Sequence, residues 1–552
     1  MKTLKISIVA IIIIMFAGCS SDYLKETPPN IFSSELLLQN YDGFEAALNG
    51  LYNIARHARW QSEKLELAIN GVDNFTSNRG RNKILYTWGT LNSPDNTDYK
   101  ETWAWLYEII YSANNIITFA EDEGVDWRGG SADAEGNKNR IVAEARALRA
   151  WAYRRLAYSW GDVPLSTSLI KTIVTDWERA PVAKVRQQMI ADFTWAQQYV
   201  PTEASLQGRI TKGAVQTFLA ETYLAVNKPD SALYWANQAI NNPAYKLVEQ
   251  RYGVFKDNPY GSAYGDMFKH TPDKGNQNRE DGNTEALWVF QFDLYNLDGQ
   301  GHELSRAITG EYNLIRNKSL SLQFTYERGG RGKNYFNPTR WWVLSYEPQD
   351  DRAQNYIMRK YFILQTAEQN APGNGADKLP DATWKYGDTI WLDWSEANDI
   401  TATHKQVPNF PYSRKGEGTD PTDMAADFAW SDQIYLRLAD TYLLKAEAQF
   451  KLGQPDAAAA TINIIRQRSH ATPITGAQVN IDFILDERSR ELIVEEERRY
   501  TLLRTHKWLE RTKKYNHYGG ELISPRDTIF PIPQTVIDAN LTKVFPQNPG
   551  WI

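Results

Sequence analysis

The residues of this sequence whose types and spacing could do chemistry are its flat aromatic side chains. There are 19 Trp, 30 Tyr and 20 Phe among 552 residues, enough that exposed platforms are expected besides a core. In two loop-like stretches, 70–98 and 326–346, they stand among amide, hydroxyl and charged groups. The first offers Phe75 and Trp88 beside Asn74, Arg81 and Asn92. The second offers Tyr335 and the adjacent Trp341 and Trp342 after a Gly-rich turn. An indole can cover the C–H face of a pyranose while Asn, Asp, Gln or Arg bonds its hydroxyl rim. Covering ~100 Å² at ~25 cal/mol/Å² contributes ~2.5 kcal/mol per platform before the costs of association. Two or three platforms predict roughly millimolar to micromolar affinity, rising with the length of the sugar chain. The expected glycan-binding residues are therefore Asn74, Phe75, Arg81, Trp88, Asn92, Tyr335, Trp341 and Trp342. Core packing is the competing reading for any single Trp. Alternation along an extended stretch would bury one of Trp341 and Trp342 and turn the other outward.

Other chemistries find little support. The seven histidines, at 57, 270, 302, 404, 470, 506 and 517, form no His-Glu-x-x-His pair. No Gly-x-Ser-x-Gly elbow, phosphate loop or dinucleotide fingerprint occurs. The single cysteine, Cys19, excludes a disulfide framework and a Cys-based zinc site. Paired carboxylates for glycoside hydrolysis remain open, because their required spacing is spatial. No cofactor is expected. Ser131, Asp133 and Glu135 set alternating oxygens before Gly136, which allows a structural calcium there but does not support one, since the distal Glu of an EF-hand loop is missing. The charge run 486–504 (DERSRELIVEEERRYTLLR) places Glu487/Arg490, Glu491/Arg488 and Glu495/Arg498 or Arg499 three or four apart. They read as a structural ion-pair network on a helix surface, with Arg146, Arg149, Arg154 and Arg155 as candidate partners. Sixty-one basic against 67 acidic residues leave a net charge of −6, so nucleic acid is not an expected partner.

Apolar periodicity predicts the elements that must position these groups. Helices are expected around 44–52, 103–117, 141–160, 212–226, 230–240, 432–452 and 455–468. Laying 219–240 over 445–466 matches Ala220 with Ala446, Glu221 with Glu447, Pro229 with Pro455, Asp230 with Asp456, Ala232 with Ala458 and Asn237 with Asn463. Small residues let paired helices approach, and Pro-Asp starts the second helix of each pair. This is the logic of tetratricopeptide-like helix pairs. From about 243 to 430 helical periodicity fades, and only 285–293 and 359–365 read as strands. Trp288, Trp341, Trp342, Trp384, Trp391, Trp394 and Trp430 lie here, which argues for ordered loops rather than disorder.

At the amino end, Lys2 and Lys5 precede an apolar run, and Ala17-Gly18-Cys19 resembles a bacterial lipoprotein box with Phe16 in place of the usual Leu. Residues 1–18 read as a signal peptide and 19–30 as a lipidated tether, with acylated Cys19 anchoring the chain to a membrane. With Asp22-Tyr23-Leu24, the segments 46–52, 103–117 (WAWLYEIIYSANNII), 143–165 (AEARALRAWAYRRLAYSWGDVPL), 434–448, 487–504 and Phe530-Pro531-Ile532-Pro533, the chain resembles the SusD/RagB family. The resemblance runs nearly end to end. It implies a mainly α fold: a superhelical frame of helix pairs (31–242, with binding loop 70–98, and 431–552) around an irregular lobe with few short strands (243–430). It also implies a lipid-anchored protein of the cell outer membrane, facing the exterior, that binds oligosaccharide or polysaccharide without catalysis. The implied partner is a SusC-like TonB-dependent transporter. Alternatives are peptide cargo, a purely structural partner of the transporter, or a glycoside hydrolase. The loops match no family motif, so the site residues rest on their own chemistry.

Overall fold

The computed structural model describes residues 34–551 apart from 61, 78–84, 86–87, 89–91, 272–273, 295–298, 300, 314, 316–320, 371–374 and 393–409. The expected signal peptide, Cys19 and tether lie outside the described residues.

Local signals set the helices. Asn40 caps α1 (Tyr41–Ala55) by accepting from the Gly43 N–H at 3.0 Å. Asn96 does the same for α2 (Thr97–Phe119). Asp133 caps α3 (Ala134–Trp160), accepting from Gly136 N–H at 2.8 Å, and Gly161 ends that helix at φ +73°, a conformation that favours glycine. The carboxylate considered for calcium thus serves as a helix cap, and among the described residues no cluster of His, Cys, Asp or Glu is arranged to hold a metal. Then follow α4 (Val182–Tyr199), α5 (Lys212–Ala225), α6 (Pro229–Ile240), α7 (Leu438–Lys451) and α8 (Pro455–Arg468). Pro229 and Pro455 each occupy the first turn of their helix.

Each helix packs on its successor from α2 through α8, giving the mainly α, tetratricopeptide-like frame that the sequence implies. The two similar pairs, far apart in the chain, are neighbours in space: α6 packs against α7. Ala220, Leu224, Ala232, Ala236, Leu444 and Ala448 form one buried cluster between them. Thr217 and Thr441 bond hydroxyl to hydroxyl at 2.7 Å in the same seam. Among the described residues, no helix is long and apolar enough to cross a membrane.

The chain between these pairs forms the lobe. Its strands are short: β1 (Phe75–Ser77), contributed by the amino-terminal part, β2 (Ala286–Phe290), β3 (Phe336–Pro338), β4 (Met358–Arg359), β5 (Tyr361–Ile363), β6 (Thr389–Trp391), β7 (Tyr412–Ser413) and β8 (Gln433–Arg437). They pair antiparallel in twos, β1 with β3, β2 with β8, β4 with β7 and β5 with β6. The ladder of β2 and β8 joins the chain leaving for the lobe to the chain returning from it. Here the helix expected over 432–452 is corrected. Ile434, Tyr435 and Leu436 are buried in β8 beside β2, and the helix starts only at Leu438.

The charge run is also corrected in its placement. It spans α9 (Ile481–Leu492) and α10 (Arg498–Arg504), but its glutamates are buried, not arrayed on a surface. Of the expected neighbouring pairs, Glu487–Arg490 forms at 2.8 Å. Glu496 stays within the run, on Arg488 at 2.6 Å and Arg498 at 3.2 Å, while the other glutamates reach across the fold. Glu491 pairs with Arg437 at 2.6 Å, with Arg352 at 3.0 Å and with Arg468. Glu495 takes Arg437 and Lys415, both at 2.5 Å. Glu285, ahead of β2, joins Arg437 at 2.6 Å and Arg468 at 2.7 Å. Glu497 takes Arg154 and Arg155 from α3, whereas Arg146 and Arg149 turn to Asp192. Burial alone would raise the Glu491 carboxyl, but Arg468, Arg437 and Arg352 outweigh it and hold it at about 2. A carboxyl depressed on folding stabilises the fold fully above its unfolded value near 4.5, and that stabilisation is lost as pH falls through the folded value. Melting temperature should therefore drop steeply between about pH 4.5 and pH 2. Replacing Arg437 by Ala should cost about 3–5 kcal/mol in urea unfolding at pH 7, because Glu285, Glu491 and Glu495 would lose a shared buried partner.

Candidate functional site

The two sequence-expected loops do come together, but to build core. β1 pairs with β3 so that Phe75 stands opposite Pro338. Asp73 holds this corner through Arg498 and Arg511 of α11 (Trp508–Tyr515), each at 2.7 Å. Asn74 is buried, and its amide donates to Ser489 Oγ at 2.8 Å. Phe75 is buried as well. Trp88 is enclosed edge-on against Trp508, ring centres 5.5 Å apart. Trp342 is enclosed too, its indole N–H donating to the Ser489 carbonyl at 3.1 Å. As placed, these four offer no open face to a sugar. A large ring with one polar handle gains most where the ring leaves water and its N–H meets a backbone acceptor.

The remaining expected residues lie nearer the surface. Trp341 is half-buried, stacked on Tyr515 at 4.4 Å with the Arg511 guanidinium 5.0 Å from its ring. One Trp of the pair is buried and its neighbour is not, as alternation suggests, although a single helical turn, Arg340–Leu344, takes the place of an extended stretch. Tyr335 is half-buried under Arg306. Asn92 is half-buried and accepts from the Tyr99 hydroxyl at 2.6 Å. Arg81 lies outside the described residues, as does Trp394.

A cleft of about 740 Å³ opens instead within the lobe. Tyr260, Tyr326, Tyr356 and Tyr361 line it together with Asn258, Asn355 and Gln365. Alternation along β5 buries Phe362 while Ile363 stays open and Tyr361 half-open. β6 then brings Trp391, 63% exposed, against Tyr361 with ring centres 4.9 Å apart. Tyr260, 82% exposed, stands on a loop whose turn is fixed by Asn258 accepting from the Tyr260 N–H. A second hollow of about 690 Å³, lined by Glu249, Arg251, Asp351 and His470 among others, has no Trp, Tyr or Phe in its wall.

The floor of the aromatic cleft is charged. Arg414 Nε donates to Glu417 at 2.6 Å and its Nη2 to the Glu327 carbonyl at 2.6 Å. Arg359 reaches the Glu327 carboxylate at 3.2 Å and carbonyl at 2.9 Å. His270 hydrogen-bonds the Glu417 carbonyl at 3.0 Å and the Tyr326 hydroxyl at 2.9 Å. Burial pushes its imidazole down to about 4, so it is neutral at pH 7. The arrangement can stack and hydrogen-bond a polar, ring-shaped ligand. Sequence reasoning missed Tyr260, Tyr356, Tyr361, Arg359 and Arg414. The only local signals were the strand pattern at 359–365 and the presence of Trp391 among the lobe's tryptophans.

A frame of paired helices carrying a loop-built, aromatic-rimmed cleft defines a class of binding scaffold. Residues 284–551 match the model of the SusD family, and residues 22–224 match a second model described as starch-binding associating with outer membrane. The chain belongs to the SusD/RagB family. SusD-like protein P25 of Formosa agariphila is 26% identical over 526 residues, covering 91% of this chain and 90% of the relative. A laminarin binding SusD-like protein superposes with a TM-score of 0.66 at 20% identity, over 93% of this chain and all of that one. Surface glycan-binding protein A from Bacteroides uniformis does so with a TM-score of 0.65 at 17% identity, over 92% and 99%.

The placement of Trp342 makes a direct prediction. Trp342→Ala should lower unfolding free energy by about 3–5 kcal/mol in urea titration, the cost of an emptied core site. An unchanged stability would return Trp342 to the surface.

Proposed function

We propose that this protein captures an oligosaccharide in the lobe cleft and passes it, uncut, to a SusC-like TonB-dependent transporter at the outer membrane. In this reading the chain faces the exterior, held by lipid on Cys19. The lobe at 243–430 carries the cargo, and the helical frame carries the lobe. Family membership supports it, as do the relatives whose names record laminarin or surface-glycan binding. The observation that carries it is the Tyr361–Trp391 pair, open to water beside a cleft whose wall supplies amide and charged partners. Such a pair gives a pyranose a hydrophobic face, and Asn258, Asn355 and Gln365 are placed for its hydroxyls. Trp341 and Tyr335 stay in the proposal as half-open aromatics outside the cleft wall.

Titration calorimetry against a panel of oligosaccharides tests the reading. At least one glycan should bind with roughly millimolar to micromolar Kd, more tightly as its length grows, with no new reducing ends released. Trp391→Ala should weaken that binding about 10- to 100-fold while leaving the melting temperature unchanged, since an exposed ring supports little of the fold. Release of reducing ends, or no binding across the panel, would overturn it.

A further inference from the structure

Lys269 lies just after the one-turn helix Ala263–Asp266 and lines the cleft. It is only 8% exposed, and its ammonium finds no hydrogen-bond acceptor among the described residues. Its contact with Glu417 is an ion pair stretched to 3.9 Å, and its other close neighbour is the Tyr356 ring at 4.8 Å. Arg359 beside it is buried too and leaves its Nε without an acceptor. Lys269, Arg359 and Arg414 set three positive charges on this floor against two carboxylates, Glu327 and Glu417, a surplus of one. Arg328 adds none, being closed on Asp377 at 2.7 Å.

We infer that the cleft is built for an acidic sugar, whose carboxylate or sulfate group seats on Lys269 and Arg359 while its ring lies along the tyrosine wall. The inference rests on the glycan-capture reading and narrows its cargo. A buried cationic donor without an acceptor is costly, and one that borders an open cleft can be completed by a ligand. A sugar hydroxyl would supply an acceptor but leave the surplus charge. A carboxylate or sulfate supplies several acceptor oxygens and the missing charge together. Burial, reinforced by Arg414 and Arg359, pushes the Lys269 ammonium well below its usual range, and an anion at that spot would oppose the shift.

The experiment compares ligands differing only in charge. Oligogalacturonate and mannuronate oligomers are titrated beside their carboxyl-reduced forms, and carrageenan oligosaccharides beside their desulfated forms. Laminari-, xylo- and malto-oligosaccharides serve as neutral glycans. At least one acidic ligand should bind about tenfold or more tighter than its neutral counterpart, the scale of one charge-assisted contact. The uronate and sulfate arms tell which anion is taken. Raising NaCl from 50 to 500 mM should weaken the acidic ligand several-fold more than the neutral one. In Lys269→Met the acidic-to-neutral affinity ratio should fall toward one, and the variant should melt no lower than wild type. Neutral glycans binding without any acid preference would overturn the inference and leave glycan capture standing; no binding to any arm would overturn both. A clear drop in the melting temperature of Lys269→Met would make the residue a structural partner of Glu417 and likewise overturn the inference.

Discussion

Arg437 is the point on which the parts of this molecule turn. It closes β8, precedes α7 and touches Glu285, Glu491 and Glu495 at once. The three acids come from the start of β2, the end of α9 and the break before α10, so one guanidinium sets lobe, helix pair and carboxyl-terminal helices relative to each other. Charges so enclosed gain little net stability, because the loss of water offsets most of their attraction. They do penalise every arrangement in which one is left alone, and this confers a single geometry. Arg352, bound to Asp350, Glu487 and Glu491, repeats the device one step further into the lobe. Lys415 carries it toward the cleft, since Arg414 beside it belongs to the cleft floor.

The cleft inherits its precision from that joint. Its walls come from loops and ladders of two or three residues that have little regular hydrogen bonding of their own. What fixes them is side chains reaching to backbone: Arg414 to Asn355 and Glu327, Arg328 to Gln323 and Ile363, Asn355 to the amides of Lys360 and Tyr361. Polar side chains stand in for a sheet here. Beneath this surface Tyr312, Phe362 and Ile390 form a buried core of its own.

The frame was legible because its cause is local. Pro-Asp starts, small residues at the crossing and a Gly stop belong to single helices, and α3, α5, α6 and α8 appear close to where periodicity places them. The site was less legible because exposure is a property of the partner. Nothing near Trp88 announces Trp508, and nothing near Trp342 announces the Ser489 carbonyl that takes its N–H. The run 486–504 has helical charge spacing whether it faces water or Arg352 and Arg437, so spacing could not place it. The apolar residues of β8 suit either period, so spacing alone extends α7 back through it. Trp391, by contrast, sits in a strand too short to be seen, and only its pairing with β5 turns it outward.

The docking of α6 directly on α7 has one more consequence. The chain departs from one helix pair and re-enters at the next through the two paired strands β2 and β8, so exit and return are close whatever lies between. The entropy of closing an excursion grows only slowly with its length, about 0.6 kcal/mol per doubling for a flexible chain. Loops beyond that gateway whose side chains do not reach the frame, unlike Arg352, Lys415 and Trp342, can lengthen or shrink at small thermodynamic penalty to the scaffold. The architecture is thus a fixed holder with adjustable outer loops, which can vary without recutting the part that grips them.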